Sequence, residues 1–197
     1  MRVAVAADHA GYPLKSGVLE AVRLLGHEAI DLGTWSTAPV DYPDIARAVA
    51  VAVVSGAADR GVLLCGSGVG AAIAANKIRG VRAAICHDTY SAHQGVEHDD
   101  LNILTLGARV LGPALIPELL RAYLGATFSG EERHVRRLGK VTQLEDEAAG
   151  STPPIRFIIP LRNRPCPIHS SSCSSSASRP GTTTSAVICS PAAGWPG

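Results

Sequence analysis

The run Cys65-Gly66-Ser67-Gly68-Val69-Gly70 places a thiol, a hydroxyl and alternate glycines within one short stretch. Glycines leave the backbone unshielded, so successive N–H groups can converge on an anion, and a helix that follows adds the positive end of its dipole. A thiol beside such donors serves as a base or nucleophile, and a neighbouring hydroxyl relays a proton. Taken alone, the same run also fits a tight strand-to-helix turn with a small buried cysteine. Asp8-His9, Tyr42 and His98-Asp99 add carboxylates, imidazoles and a phenol, the groups of general acid–base chemistry. Arg109, Arg133, Arg136 and Arg137 offer forked donors suited to phosphate. Arg133 and Arg137 share a helix face, although a solvated basic face balancing Glu131 and Glu132 is the plainer reading of that run. His27, His87 and His93 read as structural or surface side chains.

These side chains need elements that bring them to one place. Residues 2–7 are an apolar run ended by Asp8-His9-Ala10-Gly11, a first buried strand and its exit loop. Leu14, Val18, Leu19, Val22 and Leu25 then recur at helical period until Gly26 stops them. Residues 28–32 give a second strand. A polar loop over 33–43 carries Tyr42, and Asp44 can cap a helix over 45–55. The third strand, 61–65, runs into the glycine loop and a short helix through Asn76 and Lys77. A fourth strand over 81–86, a short helix over 89–95, a polar loop over 97–102 and a strand over 103–106 follow. A helix over 113–125 opens with Pro113, and a last one runs from near Glu131 through Leu144. The alternation predicts a doubly wound, Rossmann-like α/β sandwich of three layers with about five parallel strands and a C-terminal helix. Each strand exits into polar residues. That predicts Asp8-His9, Tyr42, Cys65-Gly66-Ser67 and His98-Asp99 on four loops at one sheet edge, where open α/β sheets bind ligands.

A chain of 197 residues holds one domain with a substantial core. Its charge divides unevenly. Residues 1–150 carry 14 Lys and Arg against 17 Asp and Glu, whereas 151–197 carry four Arg and no acid. Eight of the thirteen prolines and a serine-rich run over 170–176 also fall in 151–197, which predicts a mostly disordered tail unable to offset its ordering entropy by burial. Neither part has the basic footprint of a nucleic-acid binder. The five cysteines form no C-x-x-C pair and no zinc-like spacing, so neither a metal site nor a disulfide framework is expected. The apolar run after Met1 is too short for a signal peptide or a membrane span, which predicts a cytoplasmic protein with reduced thiols and no membrane partner.

The motifs, taken in order, resemble one family. Asp8-His9-Ala10-Gly11, Gly33-Thr34-Trp35, Asp41-Tyr42-Pro43, the Cys65–Gly70 run, Ala74-Ala75-Asn76-Lys77, His98-Asp99-Asp100-Leu101-Asn102, Gly107-Ala108-Arg109-Val110 and Arg133-His134 with Arg137 look like the type B ribose-5-phosphate isomerases, kin of the galactose-6-phosphate isomerase subunits. The likeness spans about residues 1–147 and makes 1–150 the sugar-phosphate isomerase domain. It implies an aldose–ketose isomerase that interconverts ribose 5-phosphate and ribulose 5-phosphate through a cis-enediolate, with neither metal nor cofactor. It also implies roles. Cys65 would move the proton between C2 and C1, Ser67 would shuttle the O1/O2 proton, and the N–H groups of Gly66, Gly68, Val69 and Gly70 would hold the enediolate oxygen. His98 would open the furanose ring, with His134 as rival. Asp8, His9 and Tyr42 would bind the sugar, and Arg109, Arg133 and Arg137 the phosphate. The last helix's arginines would reach a neighbouring subunit's site, implying a homodimer, or a tetramer, with shared sites. Some relatives use a Glu shortly after the glycine loop, but Ala71 and Ala72 supply no acid here. One position departs from the family pattern: Asp99 stands where the family usually has Asn, and its carboxylate accepts where an amide would donate.

Two other readings fit parts of the chain. Gly66-x-Gly68-x-x-Ala71 matches a dinucleotide-binding fingerprint, with Asp88 near the position of a ribose-binding acid, but the fingerprint falls at the third strand and carries a thiol. A non-catalytic sugar-phosphate binding module would fit the Asp99 departure, and an isomerase of allose or galactose 6-phosphate would fit the same motifs.

Overall fold

The computed structural model describes residues 1–150, so the tail predicted over 151–197 lies outside the described residues. Five strands, β1 (Arg2–Ala7), β2 (Glu28–Asp31), β3 (Arg60–Cys65), β4 (Ala83–Ile85) and β5 (Ile103–Gly107), form one parallel sheet in the order β2-β1-β3-β5-β4. Six helices accompany them: α1 (Tyr12–Leu24), α2 (Tyr42–Val54), α3 (Val69–Ala75), α4 (Thr89–Asp99), α5 (Ile116–Gly125) and α6 (Glu132–Gly150). The architecture is the predicted three-layer sandwich. β1 shows why its run is continuously apolar: Val3, Val5 and Ala7 face a core shared with Val18, Val96, Leu119 and Tyr123, whereas Ala4 and Ala6 face one shared with Ala46, Val49 and Ala71. A parallel strand covered on both faces has no polar side to alternate with. Thus α1, α4 and α5 cover one face, and α2 and α3 the other. Small residues on α2 and α3 let them sit close to the sheet end that carries Cys65.

Several boundaries differ from the sequence reading. Helix α2 begins three residues early, at Tyr42, because Pro43 fits a first helical turn; Asp41 stands at its N-cap and Asp44 lies inside the first turn instead of capping it. β4 keeps only three of the six residues expected, because it is an edge strand that pairs with β5 alone. Helix α4 extends four residues past Gly95. Its start is fixed by the Asp88 side chain, which accepts the Ser91 N–H at 2.7 Å. Buried Ala92 and Val96, one turn apart, hold its inner face, and Asp100 ends it in the left-handed region at φ 50°. A single 3₁₀ turn, Pro113–Leu115, precedes α5.

The free edge of β4 is covered by a side chain. The Asn76 amide donates to the Ala83 carbonyl at 2.7 Å and accepts the Ala83 N–H at 2.8 Å, as a neighbouring strand would. Helix α6 packs on α4, with His134 its one buried side chain. Among the described residues no helix is long and apolar enough to cross a membrane.

Candidate active site

β3 delivers Cys65 to the C-terminal edge of the sheet, 6% exposed. The turn into α3 passes through Gly68 at φ 85°, a conformation L side chains rarely adopt. That twist aims the Gly68 N–H at the Cys65 Sγ, 2.9 Å away, and the Val69 N–H lies 3.3 Å from the Ser67 Oγ. The end of β5 fastens a cation to the loop: Ala108 N–H donates to the Cys65 carbonyl at 2.8 Å and Arg109 N–H to the Gly66 carbonyl at 3.0 Å. Opposite, Asp8 is buried, and its Oδ1 accepts the N–H groups of Ala10 and Gly11, both at 2.8 Å, which pins the turn from β1 into α1. The His9 Nδ1 lies 3.3 Å from the backbone of Val40, in the loop that leads to Tyr42. The Tyr42 ring presses on the glycine loop so closely that a Cβ at Gly70 would lie 2.9 Å from two of its ring carbons.

These residues enclose one cavity of about 380 Å³, lined by Asp8, His9, Ala10, Tyr42, Cys65, Gly66, Ser67, Gly70, Arg109 and Val110. It therefore combines a thiol with a backbone donor aimed at it, a hydroxyl, an imidazole, a phenol, a carboxylate and one guanidinium. The other cysteine in the described core differs sharply: burial, reinforced by the Asp88 charge, pushes the Cys86 thiol up to about 11. Among the described residues no group of three or more His, Cys, Asp or Glu is placed to hold a metal ion.

The remaining predicted residues do not join this cavity. Residues 97–99 belong to the last turn of α4, which runs antiparallel to the strands and returns the chain to the sheet's other edge before β5 starts. With about 3.3 Å of rise per residue, six-residue β3 separates the two edges by roughly 17 Å. There His98 stacks on His134, with ring centroids 4.1 Å apart and planes at 30°. Burial, then the facing His98 ring and Arg133, hold the His134 imidazole below its ordinary range. The Ser129 hydroxyl lies 2.6 Å from the His134 Nδ1, and the Gln94 amide donates to the His98 Nδ1 at 2.7 Å. Arg133 is engaged by Glu131 at 2.8 Å on the surface. Asp99 and Arg137 wall a separate groove of about 460 Å³ beneath α6. The sequence reading missed Val40, Gln94 and Ser129, which hold the site's histidines. Only Gln94 carried a signal, its i,i+4 spacing to His98.

The sheet order and the cavity at its C-terminal edge define a doubly wound α/β protein with a thiol-bearing pocket of small-molecule size. A profile of the Ribose/Galactose Isomerase family matches residues 3–141. Ribose-5-phosphate isomerase B of Escherichia coli is 43% identical over 144 residues, 73% of this chain and 96% of that protein. D-erythrulose-4-phosphate isomerase of Pectobacterium atrosepticum is 41% identical over 132 residues, 66% of this chain and 86% of that protein. The structure of Clostridium thermocellum ribose-5-phosphate isomerase B superposes with a TM-score of 0.73 at 44% identity, covering 75% of this chain and 99% of that one. The chain belongs to the ribose/galactose isomerase family and is an isomerase.

Proposed function

We propose that this isomerase interconverts D-ribose 5-phosphate and D-ribulose 5-phosphate through a cis-enediolate, with Cys65 as the base. The observation that carries the reading is the Cys65 Sγ in the cavity wall, accepting the Gly68 N–H at 2.9 Å. The N–H aimed at it fixes the sulfur at the cavity wall, where it can take a proton from a substrate carbon. The thiolate takes the proton from C2, the enediolate oxygen is held by N–H groups of the Gly66, Gly68, Val69 and Gly70 loop, and the proton returns at C1. Ser67 relays the proton between O1 and O2. Asp8, His9 and Tyr42 bind the sugar hydroxyls, and Arg109 meets the phosphate.

His98, Asp99, His134, Arg133 and Arg137 take part through a second copy. They lie at the opposite sheet edge from Cys65, so a homodimer in which each copy offers its α4–α6 cluster to the other's cavity completes two sites at once. In that assembly His98 opens the furanose ring, and Arg133 and Arg137 add to the phosphate site. Neither metal nor cofactor has a part in these steps.

A coupled isomerase assay with ribose 5-phosphate tests the reading. Cys65→Ala should abolish turnover while calorimetry still shows ribose 5-phosphate binding; retained turnover refutes the base. A mixture of inactive Cys65→Ala and His98→Ala chains should regain activity, since mixed dimers hold one intact site; no recovery after subunit exchange refutes the shared site. Running allose 6-phosphate, galactose 6-phosphate and D-erythrulose 4-phosphate in parallel ranks the competing sugars.

A further inference from the structure

We propose that Gln94 is a positioning residue that holds His98 in its Nε2–H tautomer, so that His98 meets the sugar as a hydrogen-bond donor and not as a base. This rests on the reading that His98 acts on the substrate ring. Gln94 lies one turn before His98 on α4, and its amide nitrogen is 2.7 Å from the His98 Nδ1. An amide NH₂ can only donate, so the Nδ1 facing it must present its lone pair. A neutral imidazole has one hydrogen, which is then on Nε2. The Nε2 side agrees with this. The nearest acid is the Glu97 carboxylate, 3.7 Å from the His98 Nε2, a separation too long for a hydrogen bond but one at which N–H is favoured over a lone pair.

The neighbours keep the ring where Gln94 can hold it. His134 stacks on His98 at 4.1 Å and is itself fixed at Nδ1 by the Ser129 hydroxyl at 2.6 Å. Ser129 donates its backbone N–H to the Glu97 carbonyl at 2.9 Å, tying the loop before α6 to the residue preceding His98. The His98 ring is thus held on one face by His134 and at its inner nitrogen by Gln94. A neutral imidazole donating to a substrate oxygen polarises it without changing charge, a pattern known from other isomerisations. In this scheme the C1–O4 bond breaks, the anomeric hydroxyl passes its proton to the His9 imidazole of the facing cavity, the same imidazole returns it to the freed ring oxygen, and His98 donates a hydrogen bond to that oxygen without losing its own proton.

Nitrogen-15 spectra of the His98 side chain in the full-length protein test the tautomer independently of turnover. The wild type should show a protonated Nε2 and an unprotonated Nδ1. Gln94→Glu, nearly isosteric, puts an acceptor at Nδ1 and should reverse the tautomer, and kcat for ribose 5-phosphate should fall by roughly a hundred-fold, the loss of one aligned donor at a reacting oxygen, with KM little changed. Gln94→Leu should give a mixture. A wild-type Nδ1–H tautomer overturns the proposal and leaves the isomerase reading standing, because His98 would then be free to act as a base. A Gln94→Leu protein that keeps a pure Nε2–H tautomer shows that Gln94 does not set it. A reversed tautomer with unchanged kcat shows that the donor is not used.

Discussion

Gly70→Ala separates two effects that act in opposite directions. The new methyl would sit 2.9 Å from Cε2 and Cζ of Tyr42, so the two groups must part by about 0.5–1 Å to reach ordinary van der Waals contact. A ring locked in a packed core would resist and cost roughly 1–3 kcal/mol. Tyr42 is 43% exposed at the first turn of α2, so its ring can swing towards solvent at little cost. Meanwhile alanine is favoured over glycine within a helix by up to about 1 kcal/mol. The sum predicts a Tm that is unchanged or raised by a few degrees, since about 1 kcal/mol moves Tm by roughly 2–4 °C in a chain of this size. Activity should go the other way. A displaced Tyr42 hydroxyl no longer aligns the sugar, and misplacement of about 1 Å lowers kcat/KM by roughly ten- to a hundred-fold. Calorimetric Tm and the coupled assay, read on one preparation, decide the matter. Wild-type kcat/KM would refute the placement of Tyr42 over the substrate, and a fall in Tm of several degrees would refute the freedom assigned to its ring.

Three further outcomes follow from the same geometry. Asp99→Asn should raise kcat, because an amide can donate where the carboxylate only accepts and repels an enediolate; a clear fall in kcat would contradict this. Brief treatment with iodoacetamide followed by peptide mapping should label Cys65 well before Cys86, whose thiol is pushed up to about 11 by burial. Equal labelling would count against Cys65 as the reactive thiol of the cavity. Because the fold holds His134 below the ordinary value of 6.5, the unfolded chain binds the extra proton first as pH falls. Stability is therefore full above that value and is lost from there down through the folded-state pKa. Urea midpoints at about pH 7.5 and 5.5 should differ more for the wild type than for His134→Gln.

What the sequence disclosed was whatever rests on local order. Residues 2–7 and 61–65 are apolar throughout because both faces of those strands are covered, and the glycine loop announces itself by composition. Half of the site is legible for the same reason: Asp8, His9, Tyr42, Cys65, Ser67 and Arg109 sit on segments that leave β1, open α2, or leave β3 and β5 at one edge. His98 and Asp99 lie away from the other loops because their segment enters a strand where the others leave one, and polarity alone does not tell the two apart. Helix α4 carries its polar residues to its last turn, and what keeps it helical is tertiary: Ala92 and Val96 fill the core one turn apart, and Leu101 packs against Gly95. Because β5 runs parallel to β3, whatever leads into Ile103, loop or helix, lies at the edge where the strands begin and not at the edge that carries Cys65. No pattern along one chain reports that a cluster so placed can serve a cavity on another copy. The Lys15 ammonium was likewise invisible as a core feature, yet it is buried against both Asp31 oxygens at 2.8 Å and under the rings of Tyr12 and Trp35.

The two-point grip of Asn76 on Ala83 bears on how copies of this chain can meet. A bare strand edge is a template for further strands, and the outermost strand here would otherwise offer one. The amide occupies the donor and the acceptor that Ala83 would offer an incoming chain, so the edge is blocked at its first residue. Aspartate could accept the N–H but would set its charge against the carbonyl, which makes the stopper specific to the amide. A strand arriving there would find Ala83 already paired. Contact between two copies there is better served by helices, whose side chains form a bounded interface where a growing sheet does not.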